Sequence, residues 1–144
     1  MADPRDMILG EIQVAASKAM GSSAGAMMRQ AGLKASHKIW PELPAGLSVE
    51  EAGKIMREGI SGIKGFGSFS ACEEDGLVKI AFSDCYFASL SADSGQPCGQ
   101  QPICYFGFGL VEETLARLTG KRTKVELISR DEANGVCHET ATPR

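Results

Sequence analysis

The chain has 144 residues, 43 % of them hydrophobic and 23 % charged, which suits one soluble globular domain with its own core. Its net charge of −3, with no cluster of Lys and Arg, argues against nucleic acid as a partner. No apolar run reaches the roughly 18 residues of a membrane span, and the acidic start MADPRDMILGEI does not read as a signal peptide.

Five cysteines, an odd number without a secretory signal, point to a reducing, cytoplasmic compartment rather than a disulfide framework. Buried thiols, metal ligands and redox thiols all remain open. The 17 glycines exceed the average share of about 7 % and fall inside expected helices as well as in turns. That placement implies close backbone packing or a dimer seam.

Residues 6–20 place Ile8, Ile12, Val14, Ala15 and Met20 at roughly helical spacing, with Asp6 as the expected cap and Gly21 as the stop. A small-residue helix follows from Ser22 or Ser23, with Ala24, Met27, Met28, Ala31, Leu33 and Ala35 as its apolar face. The Pro41–Pro44 segment ends it. Ser48 and Glu51 then fit a capping box, and Val49, Ala52, Ile55, Met56 and Ile60 form one face of the helix it opens.

From residue 66 the period changes to two. Runs 66–72 and 77–82 flank Asp75-Gly76, a hairpin signal. Residues 84–99 read as an irregular loop carrying Cys85 and Cys98. A Gly-interleaved apolar helix spans 102–119 and stops at Gly120. Strands 122–129 and 136–141 close the chain around the Asn134-Gly135 turn. Three helices, a hairpin, a helix and a second hairpin make an α+β domain.

The residues with chemical potential cluster late. Alternation sends Thr123, Val125 and Leu127 to one face of their strand and Lys124, Glu126 and Ile128 to the other. Glu126 is then either a solvated carboxylate beside Lys124 or, through the Asn134-Gly135 turn, a partner of Cys137. Zinc accepts sulfur, nitrogen and oxygen ligands, so such a pair suits a metal. Cys104 opens the Gly-rich helix, where a thiolate is favoured, yet a buried small hydrophobe fits there equally. His138 points opposite to Cys137 on a strand and reads as a surface residue, and His37 as packed or half-exposed. Tyr105, Phe106 and Phe108, with Trp40, line either a pocket for an apolar ligand or solid core. No acid–base pair is identifiable, so a catalyst is the less expected class.

The residues Ile103-Cys104-Tyr105-Phe106, Leu118-Thr119-Gly120, Val125-Glu126 and Gly135 to Cys137 resemble the 4-vinyl reductase domain family. That family includes hydrocarbon-binding proteins and the input domains of aromatic-sensing transcription activators, and it shares its fold with small TRAPP subunits. The resemblance implies a single domain over 1–144 that binds or senses a hydrophobic small molecule, pairs as a homodimer and acts through a protein partner. It also implies a zinc site of three cysteines and a glutamate, the last three in the pattern Glu-x2-Cys-x7-Cys. Mapped here, Cys104, Glu126 and Cys137 match, while Ser129 stands where a cysteine is expected. Cys98 or Cys85 would then supply the missing thiolate. A redox or iron–sulfur protein on Cys85, Cys98, Cys104 and Cys137, and a TRAPP-like scaffold with merely buried cysteines, are the alternatives.

Overall fold

A computed structural model describes residues 3–90 and 100–144. The element order is α1 (Pro4–Met20), α2 (Ser23–Ile39), α3 (Val49–Ser61), β1 (Ser68–Glu74) and β2 (Leu77–Ser83). A 3₁₀ turn (Tyr86–Ser89), α4 (Pro102–Thr119), β3 (Thr123–Asp131) and β4 (Val136–Pro143) complete it. The expected α+β architecture is therefore present, with the four strands in one antiparallel sheet ordered β1-β2-β4-β3.

Local chemistry sets most element ends. Ser48 and Glu51 bond each other's backbone N–H groups, completing the capping box of α3. Asp75 and Gly76 both take positive φ (54° and 76°), as a tight two-residue hairpin requires. Gly120 stops α4 in the left-handed region at φ 77°. At the start of α1 the cap is Asp3 rather than Asp6. Its side chain accepts from Arg5 N, and Pro4 takes the first helical position, where a missing N–H costs nothing.

Tertiary packing redraws two helix faces. In α1 the buried positions are Gly10, Gln13 and Val14, while Ile8 and Ile12 are 61 % and 56 % exposed. The fully buried Gln13 side chain accepts from Ile103 N and donates to Gln101, tying α1 to the start of α4. In α2 the buried stripe is Ala24, Met28, Gly32 and Ser36, four residues apart, with Met27 left exposed. Such a row of small residues is a groove into which a facing helix ridge can sink.

That facing helix is α4. It is buried at every position from Phe108 to Leu115, as a helix packed on several sides must be. It contacts α2 most heavily, and β3, α3 and α1 as well. Helix α3 lies over β1 so closely that a Cβ at Gly53 would stand 3.2 Å from Ala71 O. The inner sheet face carries Phe69, Val78, Ile80, Phe82, Val125 and Ala141, all buried. No helix among the described residues is long and apolar enough to cross a membrane.

Candidate ligand site

The sheet register decides which candidate residues meet. On β4, Cys137 and Ala141 face the core, opposite Phe82 and Val78 of β2. Glu139 lies between them in the alternation and therefore also faces inward, opposite Ile80 and Leu127. Cys104 comes from the first turn of α4, and Cys85 precedes the 3₁₀ turn. These three cysteines and Glu139 line one small chamber of about 30 Å³, walled by Phe66, Phe82, Phe87 and Phe108. Phe66 meets Phe82 and Phe87 edge-to-face, at centroid distances of 5.8 and 5.4 Å.

Phe66 and Phe87 also belong to the wall of a second, larger space. This cleft of about 400 Å³ lies between Leu9 of α1, Ile63, and Ile103, Phe106 and Leu110 of α4. Its lining is almost entirely apolar, the polar exceptions being Lys64 and Tyr86. The hydroxyl of Tyr86 donates to Asp6 Oδ1, which holds α1 at the rim.

Glu126 does not join this group. It is exposed on β3 and opposite Thr140, on the face away from Cys137, whose own cross-strand partner is Arg130. A bulge between Leu127 and Ser129 leaves Ser129 opposite His138, also exposed, and turns Arg130 inward instead. Arg130 Nη1 then donates to Cys137 Sγ at 3.0 Å. The expected pairing of Glu126 with Cys137 is therefore not made, because strand register sets them on opposite faces. Cys98 lies outside the described residues. Among the described residues no three His, Cys, Asp or Glu side chains stand close enough to hold a metal, so they do not by themselves form the expected zinc or iron–sulfur site.

Of the expected aromatic lining, Phe108 walls the chamber and Phe106 the cleft. Tyr105 instead meets Phe108 edge-to-face and lies under the Arg29 guanidinium, 5.5 Å from its ring centre, bordering another groove. Trp40 packs against α3, where a Cβ at Gly59 would be 3.0 Å from its Nε1. His138 is exposed, as expected for its strand position. His37 is half-exposed and bonds Glu113.

Sequence reasoning missed Glu139. A glutamate between His138 and Thr140 reads as solvated, yet alternation from Cys137 already placed it on the cysteine's face. It is 7 % exposed, and burial pushes its carboxyl up from the ordinary 4.5 to about 8. The acid is then neutral at pH 7. Between about pH 4.5 and 8 the unfolded chain has released this proton and the folded chain still holds it. Folding stability should therefore fall as pH rises across that window, by about 1.4 kcal/mol per unit from this group. Below the window both states are protonated and the effect vanishes. Urea titrations of wild type and Glu139→Gln at several pH values should show the wild type losing ground to the variant as pH rises. A pH-independent difference would show that Glu139 ionises normally.

Fold and surface together define a class: a small α+β domain of helices and one four-stranded antiparallel sheet, with an open apolar cleft between α1 and α4. One solved structure with this fold is the phenol-responsive sensory domain of the transcription activator PoxR, determined with phenol. The two superpose with a TM-score of 0.63 over 96 % of this chain and 74 % of that one, at 15 % identity. No protein-family model and no curated protein matches the chain.

Proposed function

We propose that this domain binds a small hydrophobic or aromatic molecule in the cleft under α1 and passes occupancy to a protein partner, as a sensor rather than a catalyst. The observation that carries the reading is the apolar cleft of about 400 Å³, which shares Phe66 and Phe87 with the wall of the inner chamber. Sites of this make-up, apolar walls with few polar groups, are typical of small-molecule pockets. The shared fold with a phenol-responsive domain supports the same chemistry. Titration calorimetry with phenol and alkyl-substituted phenols tests it. Wild type should bind saturably, and Ile63→Trp, which fills the cleft from its partly exposed rim, should lose that heat while keeping its circular dichroism. Binding that survives Ile63→Trp unchanged would place the ligand elsewhere.

A second reading, a thiol-held zinc or iron–sulfur group, follows the family resemblance: Cys85, Cys104 and Cys137 line one chamber, but they would have to draw together and gain a further ligand such as Cys98. Metal analysis and a visible spectrum of anaerobically purified protein test it. One zinc per chain without colour fits a sensor with a structural ion, iron with sulfide fits a redox protein, and a metal-free chain removes both. The homodimer that the family resemblance implies is carried with the sensor reading and is tested by light scattering.

A further inference from the structure

Helix α1 is apolar on two opposite sides, and the domain covers only one of them. Its inner side carries Gly10, Gln13 and Val14, all buried. At about 100° per residue, Ile8, Ile12, Ala15 and Ala19 fall on the opposite side, and all four are exposed. Of the seven large hydrophobic side chains exposed among the described residues, four (Met7, Ile8, Ile12 and Met20) belong to this one helix. Scattered single apolar residues are ordinary on a surface, but such a concentration marks a face that something covers.

The spacing of the stripe says what kind of element covers it. Ile8, Ile12, Ala15 and Ala19 follow one another at steps of four, three and four, the a/d repeat of a helix that pairs with another helix. We propose that α1 is a dimer seam, pairing antiparallel with the same helix of a second copy about a twofold axis. Ile8 then meets the partner's Ala19, and Ile12 meets the partner's Ala15. Every layer sets a large side chain against a small one, which lets the two helices approach closely.

Charge chooses both the occupant and the sense. Glu11 and Lys18 flank the stripe on the same side, both are exposed, and neither makes an ion pair among the described residues. Both are g positions of the repeat, the kind that sets partner and orientation between paired helices. Antiparallel pairing puts Glu11 beside the partner's Lys18 and Lys18 beside the partner's Glu11. One surface thus complements itself twice, as a twofold contact requires. A parallel pair would set Glu11 against the partner's Ala16 and leave both charges without a counterpart.

The seam runs roughly 16 Å along α1, short for a permanent interface, so association in about the micromolar range is expected. Leu9, next to the stripe, lines the cleft. One helix therefore borders the ligand space on one side and the second copy on another. The pairing goes beyond the cleft reading and does not require it.

Sedimentation equilibrium of the full chain without ligand tests it. Wild type should pass from monomer to dimer between about 10 and 500 µM. Ile12→Glu should stay monomeric over that range and keep its circular dichroism, since residue 12 is 56 % exposed within one chain. Glu11→Lys and Lys18→Glu each make both charge pairs repulsive and should each dimerise about tenfold more weakly. Mixed in equal amounts, these two variants should recover the wild-type affinity within a few-fold, because the mixed dimer restores both pairs. A wild type that stays monomeric, whether or not it pellets with phosphatidylcholine vesicles, overturns the proposal. So does a dimer indifferent to Ile12→Glu, or a mixture no tighter than its components. Each of these leaves the cleft reading standing, since phenol titration alone decides that.

Discussion

Replacing Gly32 or Gly109 by alanine should each cost about 3 kcal/mol or more, because the added methyl group has no room. The reason is a reciprocal contact between α2 and α4. A Cβ at Gly32 would lie 2.0 Å from Phe106 O, and one at Gly109 would lie 2.0 Å from Arg29 O. In both cases the obstacle is helix backbone, which cannot rotate aside as a side chain could. Either methyl group must force the helices apart, and with them the buried stripe of Ala24, Met28 and Ser36. Gly107 is the internal control. It lies in the same helix, but its Cβ would meet only Phe87 Cε2, at 3.9 Å. Gly107→Ala should be neutral or stabilising by up to about 1 kcal/mol, since glycine is a poor helix former. Urea unfolding of the three variants settles the matter. Equal midpoints for Gly107→Ala and Gly109→Ala would mean that the helices are not in backbone contact.

The second large effect concerns the Arg29–Glu112 pair. The two side chains are 17 % and 8 % exposed and join α2 to α4. Glu112 also accepts from Val125 N at 2.8 Å, and Arg29 donates to Val125 O at 3.2 Å, so the pair holds the edge strand β3 as well. Glu112→Leu removes the acceptor for both groups at once and should destabilise by about 3–5 kcal/mol. Arg29→Met should cost somewhat less, because Glu112 keeps its bond to Val125 N and has Arg144 Nη2 at 4.0 Å. The double variant should be more stable than Glu112→Leu alone, since no buried cation is then left without its anion. A strictly additive double-variant cycle would show that the two side chains do not act as a pair.

Much of the outline was legible because its determinants are local. The capping box of Ser48 and Glu51, the Asp75-Gly76 turn and the Gly120 stop each work through residues a few positions apart. The cysteines that meet in the chamber were also recognisable by type. What was not legible was the strand register. Glu126 fits a family spacing, but spacing counts residues along the chain and ignores the bulge that shifts pairing after Leu127. Glu139 carries no motif, yet simple alternation from Cys137 points it into the same space. Trp40 and Tyr105 were drawn to the site as aromatics, whereas α3 and the Arg29 guanidinium hold them elsewhere.

By itself, then, the sequence determined the α+β class, the order of helices and hairpins, and the presence of thiols and aromatic rings in the C-terminal half. Those follow from periodicity, capping and turn chemistry, which act over one or two turns of chain. Only the tertiary structure decided that Gly109 is a contact and Gly107 is not, and that Phe66 and Phe87 border both spaces. It alone showed that Glu112 and Glu113 find cations while Glu139 finds none among the described residues. These depend on which distant segments face each other, as when Gln13 of α1 meets Ile103 of α4, 90 positions away.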